Sequence, residues 1–303
     1  MNKDRFLEMV REQVQVRMPN IDAKITSVTK NNGIVYRGIQ LRSENGNVFP
    51  VVYLDEAYER YCNGDGSIND IVDFVTSVGG RKTPEISTDS ILNYDEVKDH
   101  LRIKLINASK NEEMLKSTPH LVFGDLAVVF QIQLECPFAE LATTIVTDHI
   151  LKMWEGVDLD TLFKDAEANC RKNVQIRPML NLLASMRGLD FEVPDTQEQM
   201  YVLTNSDMTN GAAQMLFPEN LDQIAEELGT SKVFIIPSSI HECIVIPENS
   251  LNVDMLTEMI SEVNETTVAD EDILSDTLYM YDTDHREYSI AQSGRKCFMS
   301  TAA

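Results

Sequence analysis

No stretch of this sequence approaches the ~18 consecutive apolar residues that a membrane-crossing helix needs, so none of it is expected to span a bilayer. Basic residues are scarce: 26 Lys and Arg stand against 49 Asp and Glu, for a net charge of −23. The scarcity is uneven. Between Asp190 and Gly294 there are 22 acidic residues and only two bases, Lys232 and Arg286. Binding to phosphates requires clustered Lys and Arg. Nucleic acid and anionic membrane surfaces are therefore excluded as partners. Two readings of the acidity remain. It keeps the chain soluble, or it forms a docking face for a basic protein partner.

Cysteine is also sparse. The five, Cys62, Cys136, Cys170, Cys243 and Cys297, are widely spaced and include no C-x-x-C pair. That excludes a zinc knuckle and a thioredoxin-type motif. An odd, scattered set predicts free thiols in a reducing compartment. The opening MNKDRFLEMVREQVQVRM lacks both an apolar core and a small-residue cleavage site, so no signal peptide is expected. The predicted location is cytoplasmic. G-x-x-x-x-G-K-[ST], G-x-G-x-x-G, H-E-x-x-H and G-x-S-x-G are all missing. No cofactor and no metal site are expected.

What is present is globular. Apolar residues make up 43% and charged residues 25% of 303, enough to build a packed core. The length suits one large or two ordinary domains. Helical spacing is predicted over Lys3–Met18, with Phe6, Met9, Val10 and Val14 inward. Ala23–Thr29 and Ile34–Leu41 read as a hairpin around Asn31–Asn32–Gly33. Helices are expected over Val52–Tyr61 and from Ser67, with Asp70 completing a capping box, to Gly79–Gly80. Arg81–Asn93 reads as a linker. Ser117–Thr118–Pro119 is the expected boundary between residues 1–117 and a larger domain over 118–293. Residues 294–303 read as a loose tail.

Within the larger domain, Pro218–Leu228 and Asn252–Val263 are amphipathic helices. Val233–Ile236 and Cys243–Ile246 are apolar on both faces, which predicts central strands covered on both sides. Leu278–Tyr281 and Glu287–Ile290 form a closing hairpin. Hairpins and helix-linked strands together predict an α+β fold. It has a mixed, largely antiparallel sheet with flanking helices and a smaller N-terminal helix and hairpin region.

The densest polar chemistry is Ser238–Ser239–Ile240–His241–Glu242, between the two apolar runs. Ser238, Ser239, His241 and Glu242 are the candidate catalytic residues, because hydroxyl, imidazole and carboxylate can make a nucleophile, a base and an orienter. Neighbours on a strand point to opposite faces, however. The other reading is that the serines and His241 satisfy the backbone of a tight hairpin. A metal set can be drawn from His241, Glu242 and one of His120, His149 or His285, but no paired-ligand spacing supports it. Asp270–Glu271–Asp272 is expected to start a helix, and Trp154 to be core.

Three stretches carry a resemblance. They are Val51–Val52–Tyr53–Leu54 with Ala57, Tyr58 and Tyr61; Tyr201–Val202–Leu203–Thr204–Asn205 with Gly211 and Ala212; and Pro237–Glu242 with Ile246 and Pro247. The chain resembles a bacterial domain-of-unknown-function family associated with anaerobic gut bacteria. From about His120 to Ile290 it is distantly similar to the uncharacterised YtpQ-like bacterial proteins. The resemblance implies a bacterial cytoplasmic protein and brings no catalytic roles. The function expected is a non-catalytic binding or regulatory module. The alternative is a hydrolase-type enzyme built on Ser238–Glu242.

Overall fold

The computed structural model describes residues 1–43, 49–80, 88–134, 142–186, 200–237, 239–249 and 252–301. The fold class is α+β. The chain forms two compact units. The first runs from Met1 to Thr88, and the second covers Asp89–Leu134 and continues from Thr143.

The first unit opens with α1 (Lys3–Arg17), capped by Asn2, whose side chain accepts the Arg5 N–H at 2.9 Å. Its inward stripe is Phe6, Leu7, Val10 and Val14, so Leu7 takes the place that spacing assigned to Met9. Strands β1 (Ile21–Thr29) and β2 (Val35–Ser43) pair antiparallel. The turn between them uses Asn32 and Gly33 at φ 60° and 71°, values that Asn and Gly tolerate. The expected helix over Val52–Tyr61 is corrected at its start. Val51–Tyr53 is a strand, β3, paired to β2, and α2 begins at Asp55 and ends at Asn63. Gly38 permits this pairing, since a Cβ there would collide with the Val52 backbone. The capping box of α3 (Ile68–Gly79) forms as expected, Ser67 and Asp70 exchanging side-chain-to-backbone bonds at 3.2 Å. Phe6, Val10, Ile39, Leu41, Val72 and Val75 make its core. Each such side chain contributes about 1.5–3 kcal/mol by leaving water.

The second unit begins with three short elements, α4 (Thr88–Leu92), α5 (Tyr94–Val97) and β4 (Leu101–Asn107). Residues 88–92 of the expected linker are therefore helical, and residues 81–87 lie outside the described residues. There follow α6 (Glu112–Leu115), β5 (His120–Phe123), β6 (Leu126–Leu134), β7 (Ala142–Ile145), α7 (Asp148–Met153) and α8 (Leu159–Cys170). Ser117–Thr118–Pro119 sits inside this unit, between α6 and β5, and not at the division of the chain. Next come β8 (Val174–Pro178), α9 (Met179–Met186), β9 (Tyr201–Asn205), α10 (Pro218–Leu228), β10 (Lys232–Ile236) and β11 (Cys243–Pro247). The chain closes with α11 (Val253–Thr266), β12 (Tyr279–Asp282), β13 (Glu287–Ile290), β14 (Lys296–Cys297) and β15 (Ser300–Thr301).

These strands make two sheets. The seven-stranded sheet, ordered β14-β13-β12-β10-β11-β9-β8, is antiparallel at every step. The five-stranded sheet is ordered β15-β5-β6-β4, with β7 also on β6. β10 and β11 are central, as their apolar runs predict. One face of the pair contributes Val233, Ile235 and Val245 to a core shared with Leu105, Val128 and Phe130 of the smaller sheet. The other face, Phe234 and Ile246, is covered by Leu256 and Ile260 of α11. Trp154 is core, and its indole N–H donates to the Ile91 carbonyl at 3.0 Å. The loose tail expected over 294–303 is corrected as far as Thr301, and residues 302 and 303 lie outside the described residues. β14 pairs with β13 and β15 with β5, and Cys297 is buried.

Candidate functional site

The loop joining β10 to β11 carries the candidate residues, at one end of the sheet's central pair. It is stitched to two other segments by its backbone. The Ser275 N–H donates to the Pro237 carbonyl at 3.1 Å, the Ile240 N–H to the Asp272 carbonyl at 2.9 Å, and the Ala212 N–H to the Ile240 carbonyl at 3.2 Å. Ser239 also bridges to Ile273. Ser238 lies outside the described residues.

His241 is held from both sides. The Asn210 N–H donates to Nδ1 at 3.2 Å. In the neutral ring the proton then sits on Nε2, which faces the Asp272 carboxylate at 3.2 Å. The His241 carbonyl accepts the Thr204 hydroxyl at 2.7 Å. Asn210 has φ 54°, and Gly211 follows because a Cβ there would collide with Thr204 and the His241 carbonyl. The Asn210 amide also reaches Gln131 of β6, at 3.5 Å.

Ser239 is 6% exposed, and its hydroxyl accepts the backbone N–H of His241 at 2.9 Å. Among the described residues the imidazole bonds to Asn210 and Asp272, not to Ser239. Glu242 is half-buried before β11 and takes no part in the bonds around the imidazole. The arrangement can brace a loop and hold an imidazole in one tautomer. A base for a hydroxyl nucleophile would need one of these two nitrogens released.

Sequence reasoning missed Thr204, Asn210, Gln131 and Asp272. The sequence predicts a helix start at Asp270–Glu271–Asp272, and the structure corrects this, since the segment is a turn. The histidines named for a metal set do not gather. His120 contacts the Thr118 carbonyl through Nδ1 at 2.8 Å, and His285 pairs with Asp282 at 3.2 Å. Among the described residues, no group of three or more His, Cys, Asp or Glu is placed to hold a metal ion. None of their helices is long and apolar enough to cross a membrane.

The first unit has a cleft of its own, of about 510 Å³, lined by Tyr53, Glu56, Arg60, Asp70, Ile71 and Phe74. Its charges are mixed, three carboxylates including Asp65 against Arg60. Hydrogen bonds from the Ser67 hydroxyl and N–H hold the Asp70 carboxyl below its ordinary range.

No curated protein matches this chain, and no solved structure does. A model of the family of unknown function DUF5688 matches residues 3–283, and the chain belongs to that family.

Proposed function

We propose that this chain is a non-catalytic binding or regulatory module of the bacterial cytoplasm, with the acidic C-terminal half as its contact region for a basic protein. The observation that carries the non-catalytic part is the engagement of both His241 nitrogens, by Asn210 and Asp272. A structural histidine is satisfied in this way, while a general base keeps one nitrogen for its substrate or nucleophile. The acidity supports the binding part. A field of one sign steers an oppositely charged partner and repels others.

The hydrolase reading rests on the His241–Asp272 contact, which also resembles the orienting pair of a triad. A fluorophosphonate probe separates the two. The binding reading expects no labelled serine, and His241→Ala destabilised by about 1–3 kcal/mol, the range for buried polar groups that lose a partner. Labelling of Ser238 or Ser239 that disappears in His241→Ala, with the melting temperature retained, would establish the hydrolase instead. Recovery from lysate of basic proteins that bind at low salt and release at high salt is the expected sign of the contact region.

A further inference from the structure

The outer face of α11 is unlike that of an ordinary surface helix. Met255, Met259 and Val263 are 54%, 48% and 42% exposed, large fractions for apolar side chains. They are four residues apart, so they line up on one ridge, about 12 Å long at the helical rise. The inward face is settled by Leu256 and Ile260 against Phe234, Ile246 and Leu278. Asn264 locks the rotation, donating to the Ser275 carbonyl at 3.1 Å and the Asp276 carboxylate at 2.7 Å. The ridge therefore cannot turn inward without breaking that core.

Charge says what should cover it. Asp254, Glu258, Glu262 and Glu265 are exposed along one edge of the ridge, and the helix contains no Lys or Arg. Glu258 and Glu262, four apart, repel each other. The last turn has no basic residue, although cations are favoured there by the helix dipole. The helix itself thus supplies no positive charge beside its apolar strip. A second copy of the chain would bring the same carboxylates together. Nucleic acid and anionic lipid are repelled. A partner helix with an apolar stripe and Lys or Arg beside it satisfies both features, and methionine adapts to varied apolar shapes.

We propose that the Met255–Met259–Val263 ridge of α11, with its acidic edge, is the docking site for a basic amphipathic helix of a protein partner. This rests on the binding-module reading and names its surface. The probe is a fluorescent amphipathic peptide of Leu and Lys, titrated with the full chain by anisotropy at low and high salt. Two exposed-site variants accompany wild type: Met255→Ser with Met259→Ser, and Glu258→Lys with Glu262→Lys. Unchanged melting curves check their folding.

Wild type is expected to bind the peptide. The serine pair should weaken binding about tenfold at either salt, the loss of apolar contact. The charge-reversed pair should lose both affinity and salt dependence. A peptide with its leucines replaced by serine should bind weakly. Equal binding by wild type and both variants would overturn the assignment to α11 and leave the acidic contact region standing. Equal binding of the two peptides would overturn the apolar ridge. No binding to wild type would overturn the ridge and the basic-partner reading together.

Discussion

The Tyr279 hydroxyl donates to the carboxylate of Asp125, a residue 154 positions earlier in the chain. The other Asp125 oxygen accepts the Ser275 hydroxyl at 2.6 Å, and the Asp125 N–H points back at the Tyr279 oxygen at 3.3 Å. Asp125 sits in the turn between β5 and β6, and Tyr279 begins β12. One polar cluster therefore ties the hairpin of the smaller sheet to the larger sheet.

That tie should be measurable. Tyr279→Phe keeps the ring and removes the donor, leaving Asp125 short of a partner. A loss of about 1–3 kcal/mol is expected in urea unfolding. Gly124→Ala should also unfold at lower urea, because Gly124 has φ 65° and a Cβ would collide with the Tyr279 ring. A Tyr279→Phe midpoint equal to wild type would show that the cluster is energetically idle.

The same tyrosine sets an alkaline limit. Tyr94, Tyr279, Tyr281 and Tyr288 are all pushed above the ordinary phenol value of 10.0, chiefly by burial, with nearby carboxylates adding to it. A raised folded pKa means that the folded state holds the proton more tightly than the unfolded one. The stabilisation is whole below about pH 10 and is lost as pH rises through the folded values. Phenolate absorbance should therefore show these tyrosines ionising only as the chain unfolds. Smooth native-state titration of all nine tyrosines near pH 10 would contradict this burial.

Thiol chemistry should follow the same burial. Among the described residues, Cys62, Cys170, Cys243 and Cys297 are free thiols, and of these four only Cys62 is exposed. Burial pushes the Cys170, Cys243 and Cys297 thiols up, away from the reactive thiolate. Ellman's reagent should label Cys62 quickly in the native protein and Cys243 only on unfolding. In denaturant without reductant, close to all five cysteines should titrate. Recovery of a single thiol would mean that disulfides form.

Local chemistry made much of this fold legible. Ser67 with Asp70, and Pro218 with Gly229, mark helix ends by caps that neighbours in sequence supply. The apolar runs of β10 and β11 announced strands buried on both faces. What escaped depends on distant partners. Val51–Tyr53 carries no strand signal strong enough to overrule the helix after it, and its pairing needs the missing Cβ of Gly38. The two-residue strands β14 and β15 are too short to show a period, and β13 and β5 order them. At the candidate site the cluster itself was visible. The groups that fix its chemistry were not, since Asn210 lies 31 positions from His241 and Asp272 is reached only across the fold.

The acidic half makes a prediction about salt. Its two bases are already engaged, Lys232 with Asp282 at 3.6 Å and Arg286 with Asp222. From outside the segment, Arg171 reaches Glu219 and Lys296 reaches Glu287 at 2.5 Å. Four of the 22 carboxylates between Asp190 and Gly294 thus have a Lys or Arg partner among the described ion pairs. An excess of charge of one sign repels itself more in a compact chain than in an unfolded one, where the charges lie farther apart. Salt screens such repulsion over about 8–10 Å at physiological strength. Moderate sodium chloride should therefore raise the melting temperature. The surface ion pairs it weakens are worth about 0–1 kcal/mol each, too little to reverse the sign. The same field should leave duplex DNA unbound in a gel-shift assay at physiological salt. A melting temperature that falls steadily with salt would mean that ion pairing outweighs repulsion. Tight binding of duplex DNA would refute the electrostatic reading of this half altogether.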